Sequence, residues 1–247
     1  SDEWIRTRTG VLSRQVISDE KLEDLAAEAA MKALDNAGMK AEELDFIICS
    51  NVVNEYITPQ LSCIIQGAIG ATCPCIDINC ACAGLVHALE IAESFYQAGR
   101  VKNVLIVCAE EPTRMTDWSD RRTCVLFGDG AGAVVLTPGD NIKSIKLSAA
   151  SATDKLWQYR TLQPTPYITK EEVSTPLQMK GQEVFKFAVT AATKDIKRAL
   201  DESGMEASQI DHYLLHQANI RIIKAIRHFL EQPEEKFPTN VEDHGNS

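Results

Sequence analysis

The run Ala33-Leu34-Asp35-Asn36-Ala37-Gly38-Met39-Lys40-Ala41 comes back later in the chain as Ala199-Leu200-Asp201-Glu202-Ser203-Gly204-Met205-Glu206-Ala207. The correspondence continues without a gap from Leu44-Asp45-Phe46-Ile47-Ile48 to Ile210-Asp211-His212-Tyr213-Leu214, giving seven identities over the eighteen positions 33 to 50. Each copy reads as a helix, a glycine stop, a turn and an apolar strand. Two helix-turn-strand units share capping and burial rules, so chance likeness is the competing explanation. The identities include Asp35, Met39 and Asp45, which look exposed and which those rules do not demand, and this favours duplication. The chain then divides into halves 1–140 and 141–247, meeting at the turn-forming Thr137-Pro138-Gly139-Asp140.

Around the first copy, helices and strands alternate. Leu22, Leu25, Ala26, Ala29 and Ala33 share one face of a helix predicted over 19–37, with Ser18 as its cap and Gly38 as its stop. The isoleucine-rich run 44–49 reads as a buried strand, followed by a helix over 60–69, a strand over 75–80, a helix over 83–98 and a strand over 102–109. Such alternation implies an α/β fold with a parallel sheet under helical cover. Residues 151–178, polar and carrying Pro164, Pro166 and Pro176, read as a long surface excursion.

With 247 residues and 45% apolar content, the chain can bury a substantial core. Its 35 acidic against 25 basic residues argue against an extended nucleic-acid surface. No apolar run approaches the roughly 20 residues of a membrane helix, and Ser1-Asp2-Glu3-Trp4 is not an export signal, so the expected compartment is cytoplasmic. Eight cysteines, mostly inside apolar runs, suit reduced thiols better than a disulfide framework. Cys73, Cys75, Cys80 and Cys82 invite a metal reading, but a strand over Ile76-Asp77-Ile78-Asn79 would hold Cys75 and Cys80 roughly 16 Å apart, too far for one tetrahedral ion. No metal site is expected.

Two residues stand out chemically. Cys82 follows a strand and opens a helix, where unpaired N–H groups and the helix dipole favour a thiolate, and its neighbours Ala81, Ala83 and Gly84 leave room for a substrate carbonyl. A buried structural cysteine is the plainer reading. His216 lies at the carboxyl end of the strand expected in the second copy, where open sheets bind ligands, although a lone histidine is more often structural. The glycines of Thr123 to Leu136 resemble a phosphate loop, but a strand-like run follows them where a helix should start, which points to a tight hairpin between two strands.

Cys80-Ala81-Cys82-Ala83-Gly84, the glycine hairpin Phe127 to Ala133, His216-Gln217-Ala218-Asn219 and His244-Gly245-Asn246 occur in this order. Together with the blocks Asp2 to Gly10 and Met179 to Val189, they make the chain resemble beta-ketoacyl-acyl-carrier-protein synthase III, of the thiolase superfamily, from Ser1 to Ser247. The resemblance implies a duplicated thiolase-like five-layered α-β-α-β-α fold, and a cytoplasmic homodimer. It implies that Cys82 takes an acyl group from acyl-CoA, and that malonyl-acyl-carrier protein then condenses with that group, losing carbon dioxide. His216 and Asn246 would donate hydrogen bonds to the thioester oxygen, with no cofactor beyond the CoA thioester substrate. Trp4 and Arg121 would sandwich the adenine, and Arg8, Asn219 and Arg221 would bind phosphate or pantetheine. Arg221, Lys224 and Arg227 form a basic helix face that would dock the acidic carrier protein. Thr58 stands where many relatives carry a tunnel-closing phenylalanine, so longer or branched primers are expected to fit. The family pattern extends beyond both ends of this sequence, so the chain as written is expected to fold poorly and to be inactive alone. Two other functions are carried alongside: a related acyltransferase that does not decarboxylate, and an idle subunit that binds acyl-CoA or carrier protein.

Overall fold

The computed structural model describes residues 1–160, 165–167 and 175–247. It opens with helix α1 (Asp2–Thr9) and helix α2 (Leu22–Ala37). Strand β1 (Phe46–Ser50), helix α3 (Leu61–Ile69), strand β2 (Cys75–Ile78), helix α4 (Gly84–Gln97) and strand β3 (Val104–Glu110) continue the alternation, and strand β4 (Gly130–Leu136) closes it. The sheet order is β2-β1-β3-β4, with β1 parallel to β2 and β3, and β4 antiparallel to β3.

The period-two alternation of strand side chains explains why these runs are apolar throughout. Ile47 and Cys49 of β1, with Leu105, Val107 and Ala109 of β3, face Leu22, Ala26 and Ala30 of α2 and Leu61 and Ile65 of α3. Ile48, Val104 and Ile106 point the other way, onto Ala88 and Ala92 of α4. Alanine on the inner faces of α2 and α4 lets helix and sheet approach closely.

The repeat is reproduced bond for bond at its turns. Gly38 and Gly204 both end their helices in the left-handed conformation, at φ 63° and 67°. Met39 N donates to Leu34 O at 3.0 Å, and Met205 N to Leu200 O at 3.0 Å. Lys40 N donates to the Glu43 carboxylate at 2.8 Å, and Glu206 N to the Gln209 side-chain oxygen at 2.7 Å. After these turns the copies diverge: the first enters β1, whereas residues 211–217 form no strand. An extended segment becomes a strand only when another supplies the hydrogen-bonding ladder, and none of the described residues does so. Tyr213 N donates instead to Lys236 O at 2.7 Å.

The second half packs as helix α5 (Gly181–Ser203) on helix α6 (Ile220–Leu230) around Val189, Ile223, Ile226 and Leu230, with Tyr213 and Phe237 stacked at 4.8 Å. Within the expected excursion 151–178, strands β5 (Leu156–Trp157) and β6 (Gln178–Met179) pair with each other. Pro164 of that reading lies outside the described residues.

Three local expectations are corrected. Helix α2 begins at Leu22 behind an extended Lys21, because Ser18 is held outside it by the Glu20 carboxylate. Strand β2 ends at Ile78, two residues early. The glycine segment is no hairpin between two strands: residues 121–126 form turns, Phe127 bridges Asn246, and the partner of β4 is β3. The reason is Arg14, whose guanidinium donates to Cys124 O and Phe127 O at 2.7 Å each, taking up carbonyls that a hairpin would need.

Asp129, inside the glycine motif, is buried and accepts from Ile17 N (2.9 Å), Thr113 N (3.1 Å) and the Thr113 hydroxyl (2.6 Å). It joins three remote segments, so Asp129→Ala leaves two backbone donors unmet. The expected loss is about 3 kcal/mol of unfolding free energy, measured by urea titration; a loss within about 0.5 kcal/mol would show that the carboxylate is dispensable.

Candidate active site

The parallel strands carry β1, β2 and β3 to one sheet edge, where they end at Ser50, Ile78 and Glu110. Cys82 sits just beyond that edge, in a short 3₁₀ turn, Ala81–Ala83, immediately ahead of α4. Ala81 has φ 46°, a left-handed conformation costly for a residue with a Cβ. The turn is packed against the end of β1: a Cβ placed on Gly84 would lie 2.6 Å from the Ser50 Cβ and overlap its hydroxyl. Only glycine lets the helix start there.

Asn246 reaches the same edge by another route. Helix α7 (Val241–His244) ends at Gly245, φ 67°, whose missing side chain leaves space for Leu126 O and Arg14. Asn246 N then donates to Leu126 O at 2.9 Å, and Gly128 N donates to Asn246 O at 3.0 Å. Since Gly130 lies opposite Glu110 across the β3–β4 ladder, this strap holds Asn246 at the end of β3. His216 is tied to that segment by its neighbour Gln217, which accepts from Asn240 N at 3.1 Å and donates to Leu215 O at 2.9 Å.

Cys82 and His216 are both reachable by solvent, yet both are desolvated by surrounding protein. Desolvation pushes the Cys82 thiol up, and the Glu110 carboxylate adds to the rise. The expectation that a helix start favours the thiolate is therefore overturned: burial outweighs the dipole here. Desolvation also lowers His216, so its imidazole is neutral near neutral pH.

Glu110 was not singled out by the sequence, where it is one of 35 acidic residues. Burial raises its carboxyl to about 7, against the lowering effect of N–H groups from Val52 and Val53; the Val52 bond is 3.1 Å. The native state thus holds a proton that the unfolded chain releases near 4.5. Stability from this group is complete at acidic pH, falls as pH rises between those two values, and is then lower by about 3 kcal/mol. Glu110→Gln keeps an acceptor for Val52 and removes the charge. Urea unfolding is expected to show the variant equal to the parent near pH 4 and more stable above about pH 8; parallel pH profiles for the two proteins would contradict this origin.

The remaining expected residues fall into separate groups. Arg121 lies over the Trp4 ring, 4.9 Å from its centroid, so these two residues, 117 apart in sequence, meet. Asn219 caps α6 by accepting from Arg221 N at 2.9 Å, and its amide donates to Arg8 O at 3.2 Å, so its side chain is already engaged in structure. The Arg221 guanidinium lies 5.7 Å from the Phe185 ring centroid. Arg221 and Lys224 are exposed, but Arg227 is paired with Glu234 at 2.7 Å, which removes one charge from the expected basic face. Thr58 is exposed, in the loop before α3 and in a cis bond to Pro59. A recess of about 580 Å³ lined by Glu20, Glu23, Glu55, Glu111, Arg114 and Trp118 is a different place, since none of Cys82, His216 and Asn246 lines it.

Comparison with known proteins agrees with this geometry. Residues 76–154 match the family model described as 3-Oxoacyl-[acyl-carrier-protein (ACP)] synthase III, and residues 200–247 match its C-terminal model. Beta-ketoacyl-[acyl-carrier-protein] synthase III of Clostridium perfringens is 42% identical over all of this chain and 78% of its own length. The same enzyme of Xanthomonas campestris pv. campestris is 40% identical, over all of this chain and 77% of its own length. The crystal structure of 3-oxoacyl-[acyl-carrier-protein] synthase III from Aquifex aeolicus VF5 superposes with a TM-score of 0.91 at 36% identity, covering all of this chain and 78% of that one. The shared fold and a likeness that runs over the whole of this chain converge: the chain belongs to the beta-ketoacyl-[acyl-carrier-protein] synthase III family.

Proposed function

We propose that the protein is the initiating condensing enzyme of fatty acid synthesis, with Cys82 as nucleophile and His216 and Asn246 as the hydrogen-bond donors of the condensation step. The observation that carries the residue assignment is the turn at Ala81–Ala83, which presents Cys82 beyond the same sheet edge to which the Leu126 and Gly128 bonds strap Asn246.

In the first half-reaction the Cys82 sulfur attacks the acyl-CoA carbonyl. A carbon–sulfur bond forms to Cys82, the bond to CoA breaks, and the thiol proton ends on the departing CoA sulfur. The raised thiol is suited to wait in the protonated form until substrate arrives. In the second half-reaction malonyl-acyl-carrier protein loses carbon dioxide, and the resulting enolate attacks the acyl carbon and expels Cys82 as a thiolate, which takes a proton from solvent to restore the thiol. The enolate oxygen needs donors that carry no charge penalty of their own; a neutral imidazole and a carboxamide meet that need. The products are 3-oxoacyl-carrier protein, carbon dioxide and CoA.

On this reading Trp4 and Arg121 part to admit the adenine between them, and Arg8, Asn219 and Arg221 lie along the path of the phosphates and pantetheine. Arg221 and Lys224 supply the carrier-protein contact, with Arg227 lending little while Glu234 holds it. Thr58 sets the primer length accepted. The two halves 1–140 and 141–247 contribute the nucleophile and the donors respectively. A cytoplasmic homodimer belongs to the same reading.

The test is to incubate a full-length version of the protein with acyl-CoAs of graded length and branching and weigh it, then add radiolabelled malonyl-carrier protein and trap the gas. Acyl mass gain followed by stoichiometric carbon dioxide is the expected result. Mass gain without gas would identify an acyltransferase of another kind; no mass gain would leave only a binding role.

A further inference from the structure

Outside the candidate active site, one contact between reactive groups is unaccounted for. Cys63, on the third residue of α3, and Cys75, the first residue of β2, place their sulfurs 3.4 Å apart. A disulfide bond is shorter by about 1.4 Å, a gap that modest side-chain rotation closes. The elements bearing the two sulfurs are already clamped together: the Asp77 carboxylate accepts from Leu61 N and Ser62 N at 2.8 Å each, and the Gln60 side-chain oxygen accepts from Asp77 N at 3.1 Å. The pair is thus held by bonds that do not involve the sulfurs themselves, so oxidation would find it preassembled.

We propose that Cys63 and Cys75 form a second thiol site, which a hydroperoxide converts into an intramolecular disulfide without the participation of Cys82. Cys63 is exposed and Cys75 is half-buried, which sets the order of events. The peroxide oxygen–oxygen bond breaks as the Cys63 sulfur is oxidised to a sulfenic acid, releasing one water, or the alcohol of an organic hydroperoxide. The Cys75 sulfur then displaces the sulfenic hydroxyl, forming the sulfur–sulfur bond and releasing a second molecule, this one water. Two electrons and two thiol protons pass to the peroxide in total. A dithiol reverses the change by exchange. Burial, together with the Cys63 contact, holds the Cys75 thiol up at about 11, which disfavours it as the first sulfur oxidised. Cys82 is remote: Cys75 opens β2 and Cys82 lies beyond the strand's other end, so the strand alone holds them roughly 10 Å apart. Cys73, the nearest competitor in sequence, is buried.

The protein is treated with hydrogen peroxide, blocked with N-ethylmaleimide and digested with pepsin at low pH, where thiol exchange stops. Mass spectrometry without reductant is expected to find Cys63 and Cys75 in one disulfide, lighter by two hydrogen atoms and free of maleimide, and restored to two blocked thiols when dithiothreitol precedes the blocking. The same disulfide is expected in Cys82→Ala, and its loss in Cys63→Ser and in Cys75→Ser. Maleimide on both residues after peroxide, a bridge from Cys63 to any other cysteine or to a second chain, or Cys63 carried on to sulfinic acid would overturn the proposal. The parent protein alone decides the matter, so a variant that folds badly does not blur the result.

Discussion

Cys82→Ala is expected to abolish the acyl mass gain and to lower condensation on the order of a millionfold, the scale seen when a covalent nucleophile is removed from an enzyme. The chain holds seven other cysteines, so the experiment also tests which thiol is meant. Cys49 and Cys73 are buried, whereas Cys82 is exposed, so a thioester carbonyl has no path to either of the other two. Cys80 is two residues away, on the other side of the left-handed Ala81, and is half-buried where Cys82 is exposed. Intact-protein mass after incubation with acyl-CoA is the measurement. An adduct that survives Cys82→Ala would move the chemistry to another thiol, whatever the family likeness.

His216→Ala and Asn246→Ala are each expected to leave acylation of Cys82 largely intact and to slow condensation by about 10²- to 10³-fold, the usual cost of one donor to a developing oxyanion. The two act on one oxygen, so the double variant should lose less than the product of the single losses. Pre-acylated enzyme mixed with malonyl-carrier protein in a single turnover separates this step from the first. Gly245→Ala should imitate Asn246→Ala without touching the amide, because an added Cβ would lie 2.7 Å from Leu126 O and 2.8 Å from the Arg14 side chain. If all three variants lost acylation and condensation equally, the donors would be acting on Cys82 rather than on the thioester oxygen.

Much of the first half was legible in the residues. The strand runs around Ile47 and Ile106 and the glycine stops at Gly38 and Gly204 depend on neighbours within a few positions, and they lie where periodicity put them. Boundaries failed where a remote group intervened. Arg14 took the carbonyls of Cys124 and Phe127, and a predicted strand became a turn bonded to Asn246, over a hundred residues away. The segment before His216 has the strand pattern of its repeat partner, and it stays unpaired for lack of a neighbour among the described residues.

The alternation of elements, the repeat and the candidate residues could be read from local chain order, because side-chain period, capping and turn chemistry act over short stretches of chain. The protonation of the site was decided only in three dimensions. A helix start argues for a thiolate at Cys82, but desolvation by residues drawn in from elsewhere, together with Glu110 at the end of a neighbouring strand, raises the thiol instead. The contact between Cys63 and Cys75 has the same character. Desolvation and sulfur-to-sulfur distance are properties of what packs around a group, and packing brings together residues whose order in the chain says nothing about their nearness.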